Sequence, residues 1–227
     1  MRVSRRAFFR HINTGLANAT FEDIVAIERA YEFAKRAHAG QTRASGEPYF
    51  EGHCIPVALH ILELGMDSAL ICAALLHDTV EDTDVTVDEI KEQFGSEVAL
   101  LVEGVSKLGK LKYRGNERHV ESLRKFFVSV AQDVRVVILK LADRWHNLET
   151  LEYLPEDKQK RIALESIMIH APLASRLGMG KLVTTINDLA FPYAYPEEYE
   201  KTRKLMVARL KKAEGTIKKV YRGMLVT

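Results

Sequence analysis

The stretch AALLHDTVEDT, residues 73–83, has the residue types for metal chemistry, because a histidine and three carboxylates follow an apolar run. An imidazole beside a carboxylate suits Mn²⁺, Fe²⁺ or Zn²⁺, and further oxygen ligands shift the preference toward Mn²⁺ or Mg²⁺. Glu81 lies four residues after His77, and Asp82 lies four after Asp78, so a continuing helix would place each pair on one face. One pair would then hold an ion while the other handles protons. The alternative is a helix C-terminus with a solvated acidic cap.

Asp143 is another carboxylate that could take part in chemistry. It lies within an apolar helical pattern, KLADRWHNLET. Burying a carboxylate costs several kcal/mol unless it is paired or binds a metal. The same helical face carries two more polar side chains, Lys140 and Asn147. A salt bridge with Arg144 or Arg161 is the alternative explanation for Asp143.

A third contributor is His53, which opens a short helix after a turn-rich loop. Its side chain could reach the end of the His77 helix, although an ordinary satisfied polar residue would also fit. His53, His77, Asp78 and Asp143 together offer two imidazoles and two carboxylates. A five- or six-coordinate ion would keep positions for water and a substrate oxygen, as catalysis requires.

Helical periodicity runs through the segments that must position these residues, and no strand is predicted with confidence. Residues 68–77 are apolar nearly all round, which predicts a central helix. VRVVILKL, residues 134–141, is rich in β-branched residues but keeps a helical rhythm through Thr150. FPYAYPEEY, residues 191–199, is interpreted as a linker-like turn before a helix that starts at Pro196. The other predicted helices cover residues 20–40, 56–65, 86–95, 98–108 and 155–178, and the fold class is all-α.

Composition limits the functional classes. The chain has 227 residues and 47% hydrophobic content, enough for one domain or one domain with an extension. Its net charge of +2 lacks the strong basic excess that is typical of general nucleic-acid binding. Two cysteines, Cys54 and Cys72, make no disulfide framework and fit a reducing cytoplasm. No apolar run is long enough to span a bilayer, so we expect a cytoplasmic protein with a small-molecule partner, no nucleic acid and no membrane. A homo-oligomer is compatible with the sequence.

Five stretches of the chain resemble the metal-dependent HD hydrolase domain of the RelA/SpoT homologues, the enzymes of guanosine tetra- and pentaphosphate turnover. They occur in order over nearly the whole chain, which makes the resemblance far more specific than one histidine-aspartate pair. The stretches are AHAGQTRASGEPY (37–49), AALLHDTVEDT (73–83), FGSEVALLVEGVSKL (94–108), LRKFFVSVAQDVRVVILKLADRWHNLETL (123–151) and APLASRLG (171–178).

The resemblance implies an HD-domain helical bundle that hydrolyses the 3′-pyrophosphate of the alarmone, ppGpp or pppGpp, to GDP or GTP and pyrophosphate, with one Mn²⁺ per site. The four metal ligands it implies are His53, His77, Asp78 and Asp143. Glu81 and Asp82 would position and deprotonate the attacking water, and like-charge coupling between them is expected to raise one carboxyl pKa. Arg43 would pack against the guanine or its phosphates. The substrate-binding residues implied for the guanine nucleotide are Arg43, Ser45, Lys140, Asn147 and Thr150.

Several positions depart from the family pattern. Three residues separate Tyr49 from His53 where the family usually has two, and Cys54 replaces a common proline, so a looser helix start is expected. Cys54 is interpreted as a packed thiol, with metal contact as the alternative. Ala44 replaces a frequent lysine and Glu149 a usual arginine, which removes or reverses charge near a polyanionic substrate.

The predicted organisation is a basic N-terminal arm (1–19), an HD hydrolase domain (20–178) and a C-terminal helical extension or connector (179–227). Residues 107–117 are interpreted as a polar surface loop or a flap over the site. Nothing after residue 178 supplies the strands of a synthetase domain, so alarmone synthesis is not predicted. Two rival functions remain open: a related HD phosphohydrolase acting on another nucleotide such as NADPH, and a non-catalytic nucleotide-binding regulatory module.

Overall fold

The computed structural model describes residues 3–16, 18–109 and 133–224 of the chain. No strand occurs among these residues, which confirms the predicted all-α class; one isolated β-bridge pairs Thr42 with Pro48. Short π-helical turns cover Phe50–Cys54 and Ser166–His170, and a 3₁₀ turn covers Leu151–Tyr153. The α-helices are α1 (Arg5–Gly15), α2 (Phe21–Ala37), α3 (Ile55–Glu63), α4 (Ser68–Leu76), α5 (Thr79–Asp82), α6 (Val87–Gly109), α7 (Arg135–Glu149), α8 (Glu156–Glu165), α9 (Ala171–Arg176), α10 (Gly180–Ala194) and α11 (Pro196–Met224).

The chain divides into two compact units, Met1–Leu154 and Pro155–Thr227. This division differs from the predicted domain limits at residues 20 and 178. The N-terminal arm folds into the first unit, and the helices that follow Pro155 belong to the second. All of the predicted site residues lie in the first unit. Within the described part of the chain, no helix is long and apolar enough to cross a membrane.

The predicted N-terminal arm contains a regular helix, α1, which was not among the predicted helices. Phe8 and Ile12, four residues apart, are completely buried on its inner face. The Phe8 ring lies 5.4 Å from the ring of Tyr31 on α2. Arg5 donates to Glu32 at 3.0 Å and also pairs with Glu28. Phe8, Ile12 and Arg5 therefore attach a helix whose other residues, apart from the half-buried Ala7 and Phe9, are exposed.

The apolar helix α4 is central, as predicted. All seven residues from Leu70 to Leu76 are buried, and α2, α3, α6 and α7 pack around the helix. The side chain of Asp67 accepts a hydrogen bond from the Leu70 amide at 2.8 Å and caps the N-terminus. The last residue of α4 precedes His77, so the core of the first unit holds the end of this helix in place.

Two further helices begin where they were predicted, near residues 20 and 86. Thr20 and Asp23 form a complete capping box at α2, and the Glu89 amide donates to Thr86 at the start of α6. Gly95, with φ of 88°, interrupts α6 where the sequence predicted a helix end. The β-branched segment is helical in α7, as predicted.

Two segments that were predicted to be loops, residues 191–199 and 107–117, overlap helices in the structure. The interpretation of FPYAYPEEY as a linker is wrong, because α10 continues through Pro192 to Ala194. Its buried residues recur every four positions along the whole helix, and this packing outweighs the lost proline hydrogen bond; they are Leu182, Ile186, Ala190 and Ala194. The predicted 107–117 loop begins inside α6, and residues 110–117 lie outside the described chain.

We expect Gly104→Ala to destabilise the first unit. A Cβ atom at position 104 would lie 2.7 Å from Val136 Cγ2, at the contact between α6 and α7. Alanine gains about 1 kcal/mol of helix propensity over glycine. Overpacking against a stiff β-branched side chain costs about 1–3 kcal/mol, which we expect to exceed the gain in helix propensity. Urea unfolding measures the difference, with Gly104→Ala/Val136→Ala as the compensating control. A gain in stability for the single variant would refute the close packing of these helices.

Candidate metal centre

Three separate elements bring a pair of histidines and an aspartate together. His53 comes from the π-helical turn before α3, His77 follows the last residue of α4, and Asp143 lies within α7. One ligand atom from each side chain lies within 4.8 Å of the other two. The residues are 1%, 1% and 5% exposed, so the donor atoms converge inside the first unit. This set can hold a divalent ion.

Asp78 lies beside this group of three. Its Oδ2 is 3.2 Å from His53 Nε2 and 3.0 Å from His77 Nε2. The same oxygen accepts a hydrogen bond from the Tyr49 hydroxyl at 2.7 Å. Asp78 therefore faces both imidazoles with an orientation that Tyr49 fixes.

The His77 ring shows whether the cluster fits a cation. Its Nδ1 hydrogen-bonds the Ala74 carbonyl at 2.8 Å, an interaction in which only the ring nitrogen can donate. Its Nε2 is completely buried and, despite its closeness to Asp78, has no partner in hydrogen-bonding geometry. Buried ring nitrogens are normally satisfied. A buried Nε2 that faces two carboxylates, on a ring whose Nδ1 donates to a backbone carbonyl, is the arrangement of a histidine metal ligand.

The electrostatic balance of the cluster also favours a cation. Burial alone would raise the pKa of Asp143, but the Lys140 ammonium and the neighbouring imidazoles hold it well below its usual value. Burial likewise opposes ionisation of Asp78, yet the charge of His77 keeps the pKa of Asp78 well below normal. Burial lowers the pKa of His77, but the charge of Asp78 outweighs burial and raises it to about 9. Two ionised carboxylates therefore favour positive charge at the imidazole nitrogens, carried either by a proton or by a bound cation.

Asp143 is held by its own helix. Lys140 Nζ donates to Asp143 Oδ2 at 2.8 Å, and Asn147 Nδ2 donates to Oδ1 at 2.6 Å. Among the described residues its ion pairs are with Lys140 and His53, rather than with Arg144 or Arg161. The predicted polar face of α7 is therefore formed, and these contacts orient the carboxylate toward His53.

The extra residue before His53 is absorbed by the π-helical turn Phe50–Cys54. A π-helix accommodates one additional residue per turn, and such turns are frequent at functional sites. The expected loosening does not occur, since Phe50 packs edge-on against Tyr31 and His53 is 1% exposed. Cys54 is completely buried and burial raises its thiol pKa well above normal, which agrees with a packed thiol.

The loop between α2 and the π-helical turn presents Arg43. The Arg43 amide donates to the Glu47 carbonyl at 2.8 Å, and Gly46 adopts φ of 81° at the bend. Arg43 Nη2 donates to Asn147 Oδ1 at 3.0 Å and Thr150 Oγ1 at 3.2 Å. Three of the predicted substrate-binding residues are thus brought into direct contact across more than 100 residues of sequence.

Ser45, also predicted to bind substrate, makes its described contact within the turn. Its hydroxyl accepts a hydrogen bond from the Glu47 amide at 3.4 Å. Ala44 is exposed beside it. Glu149 is the second position at which the charge differs from the family pattern. Its carboxylate pairs with His60 Nε2 on α3 at 3.0 Å. The Glu149 carboxylate is therefore occupied by a neighbouring helix.

Glu81 and Asp82 lie on the short helix α5, both exposed. The condition for a shared face is not met, because α4 ends at Leu76 and a new helical turn begins after Asp78. Gln41 Nε2 donates to the Asp82 carbonyl at 2.6 Å and fixes this turn. Although the Glu81 side chain is exposed, surrounding protein atoms partly desolvate its carboxyl, and this desolvation, followed by the charge of Asp78, raises its pKa. Coupling to Asp82 is the smallest of its causes, so the expected like-charge mechanism is not the main one.

Sequence reasoning missed three residues that support the cluster: Tyr49, Gln41 and His146. Tyr49 and Gln41 lie in a stretch already singled out, but their partners are distant in sequence. His146 lies three residues after Asp143, a helical spacing that could have identified it. Its Nδ1 is 2.8 Å from Nδ1 of His53. Burial and the neighbouring charges of His53 and Arg43 lower the pKa of His146 to about 2, so this ring is neutral.

Comparisons with known proteins place these features in context. Residues 30–180 match the family model described as HD domain. The chain is 51% identical over 193 residues to a guanosine-3′,5′-bis(diphosphate) 3′-pyrophosphohydrolase of Aquifex aeolicus, covering 85% of this chain and 27% of that protein. It is 43% identical over 200 residues to the bifunctional (p)ppGpp synthase/hydrolase SpoT of Escherichia coli, covering 88% and 28%.

A GTP pyrophosphokinase of Streptomyces coelicolor is 46% identical over 188 residues, covering 83% of this chain and 22% of that protein. The chain thus spans about a quarter of the length of these relatives, whose names include both hydrolysis and synthesis. A solved structure of a metazoan ortholog of SpoT that hydrolyses ppGpp has a TM-score of 0.50 and 23% identity, covering 73% of this chain and 85% of that chain. That likeness supports the fold.

Proposed function

Because the chain belongs to the HD domain family, we propose that it hydrolyses the 3′-pyrophosphate of guanosine tetra- or pentaphosphate in a Mn²⁺-dependent reaction. The products are GDP or GTP and pyrophosphate. The observation that carries the proposal is the buried group of His53, His77 and Asp143, with an unpartnered ring nitrogen on His77. The names of the similar proteins from Aquifex aeolicus and Escherichia coli support the choice of substrate.

The metal ligands in this proposal are His53, His77 and Asp143, joined by Asp78. A mixed set of imidazoles and carboxylates with open positions is compatible with Mn²⁺. When bound, a divalent ion supplies Lewis acidity that lowers the pKa of a water molecule and offsets phosphate charge. Tyr49, Lys140 and Asn147 hold the two carboxylates in their orientations through the described hydrogen bonds.

The proton transfers are assigned to Glu81 and Asp82. A water oxygen forms a bond to the phosphorus next to the 3′ oxygen, and the bond between that phosphorus and the 3′ oxygen breaks. The carboxylates accept a proton from the water and pass it to the departing 3′ oxygen, which leaves as a hydroxyl. The raised pKa of Glu81 brings this carboxyl closer to the operating pH, which improves a general base.

Arg43 and Lys140 supply positive charge for the polyanionic substrate. An arginine guanidinium recognises phosphate through paired, charge-assisted hydrogen bonds. Asn147 and Thr150 hold Arg43 by its Nη2, so this cation is positioned before the nucleotide binds. Lys140 pairs with Asp143, and its side chain remains 23% exposed.

We expect Arg43→Ala to raise KM for guanosine tetraphosphate more than it lowers kcat. Losing a hydrogen bond to a charged group costs about 1.5–3 kcal/mol, or roughly 10- to 150-fold in binding. Steady-state kinetics with Mn²⁺ measure the effect, and Arg36→Ala, an exposed arginine on α2, is the matched control. An unchanged KM would show that Arg43 does not contact the nucleotide.

A substrate panel tests the proposed function. Purified protein with Mn²⁺ is given guanosine tetraphosphate, guanosine pentaphosphate, NADPH and GTP, and released pyrophosphate and phosphate are measured. We expect pyrophosphate from the first two substrates. Release of phosphate from NADPH alone would favour the related phosphohydrolase, and binding of guanosine tetraphosphate without turnover would favour a regulatory module.

A further inference from the structure

His53 has a second buried histidine on the side of its ring away from the carboxylates. Its Nε2 faces Asp78 and Asp143 at 3.2 and 3.4 Å, while its Nδ1 lies 2.8 Å from Nδ1 of His146. The two ring centroids are 5.0 Å apart at 49°, and the residues are 1% and 4% exposed. His146 is on α7 and His53 is in the π-helical turn, so this contact joins two elements of the cluster.

The direction of this hydrogen bond decides what His53 can do. One of the two Nδ1 atoms must carry the proton and the other must offer a lone pair. If His53 Nδ1 donates, its Nε2 is left with a lone pair that points at the cluster. If His53 Nδ1 accepts, a neutral His53 carries its proton on Nε2 and cannot bind a cation there.

We propose that His146 is a positioning residue, which accepts the His53 Nδ1 proton and so fixes the tautomer in which His53 Nε2 can bind the ion. The inference rests on the metal site of the proposed function. His77 has the same arrangement, because its Nδ1 donates to the Ala74 carbonyl and frees its Nε2. Metal-binding histidines commonly donate their second ring N–H to an oxygen acceptor, and such partners contribute about 10- to 100-fold in metal affinity. Here a histidine provides the acceptor.

Two substitutions separate positioning from packing. Asparagine places a carbonyl oxygen on Cγ, where histidine has Nδ1, so His146→Asn retains an acceptor although it is smaller. His146→Leu retains more apolar volume but no acceptor. A packing role predicts that leucine is the better replacement, and a positioning role predicts that asparagine is.

Mn²⁺ affinity of the metal-stripped full chain, measured by competition with a fluorescent chelator, is the readout. We expect His146→Leu to lose about 10- to 100-fold in affinity, and His146→Asn to stay close to the unaltered protein. Equal losses in both variants, or an unchanged affinity in His146→Leu, would overturn the inference. Failure of the unaltered protein to bind Mn²⁺ would instead overturn the metal site itself.

A second measurement needs no substitution and covers the case in which His146→Leu does not fold. Nitrogen-15 NMR of the histidine-labelled protein, loaded with diamagnetic Zn²⁺, reports which ring nitrogen carries each proton. We expect the His53 proton on Nδ1 and the His146 proton on Nε2. A His53 ring without a proton on Nδ1 would overturn the inference.

Discussion

Asp82→Asn is expected to lower kcat for guanosine tetraphosphate by about 100- to 10,000-fold, the usual contribution of a positioned general base. Asparagine keeps the shape of the side chain but cannot accept a proton. Because Asp82 is exposed and its backbone carbonyl is held by Gln41, the turn should retain its structure. Mn²⁺ and substrate affinity should therefore change little.

Single-turnover hydrolysis measures this effect apart from product release. Asp84→Asn removes an equally exposed carboxylate two residues away and serves as the matched control. Full turnover by the Asp82 variant would show that Asp82 does not accept the proton. Glu81→Gln would then test the remaining carboxylate.

Asp143→Asn is expected to abolish Mn²⁺ binding at micromolar concentrations and hydrolysis with it. The change removes a charged ligand atom from the group shared with His53 and His77. It also leaves the Lys140 ammonium without its counter-charge. Breaking a buried pair costs about 3–5 kcal/mol, and we expect a loss of stability near the lower end because the Lys140 side chain keeps 23% exposure.

Calorimetric titration with Mn²⁺ and thermal unfolding of the metal-free variant separate these two effects. Asp84→Asn again serves as the control, because it removes one negative charge outside the group. Unaltered Mn²⁺ affinity in Asp143→Asn would mean that the three buried side chains do not form the binding site.

Local patterns were sufficient for the helices that carry most of the cluster. The apolar run of α4 and the helical spacing of apolar residues in α7 predicted the two helices that position His77 and Asp143, since helical spacing depends on near neighbours. The buried carboxylate of Asp143 could be recognised because its polar neighbours recur at i−3 and i+4. The same reasoning also predicted that a helix begins near residue 20, where α2 starts.

Contacts between distant segments could not be predicted in this way. The bond from Arg43 to Asn147 joins residues 104 positions apart, and no local pattern encodes it. The break between α4 and α5 depends on how the end of α4 meets the surrounding core, which the spacing of His77 and Glu81 does not reveal. The π-helical turn was visible only as one extra residue, with no indication that it would stay tightly packed.

Pyrophosphate release from guanosine tetraphosphate by metal-stripped protein, followed as Mn²⁺ is added, tests the central claim most directly. We predict no release without the ion and a rise that saturates near one Mn²⁺ per chain. Undiminished release in the absence of the ion, or no release by folded protein at saturating Mn²⁺, would contradict the account.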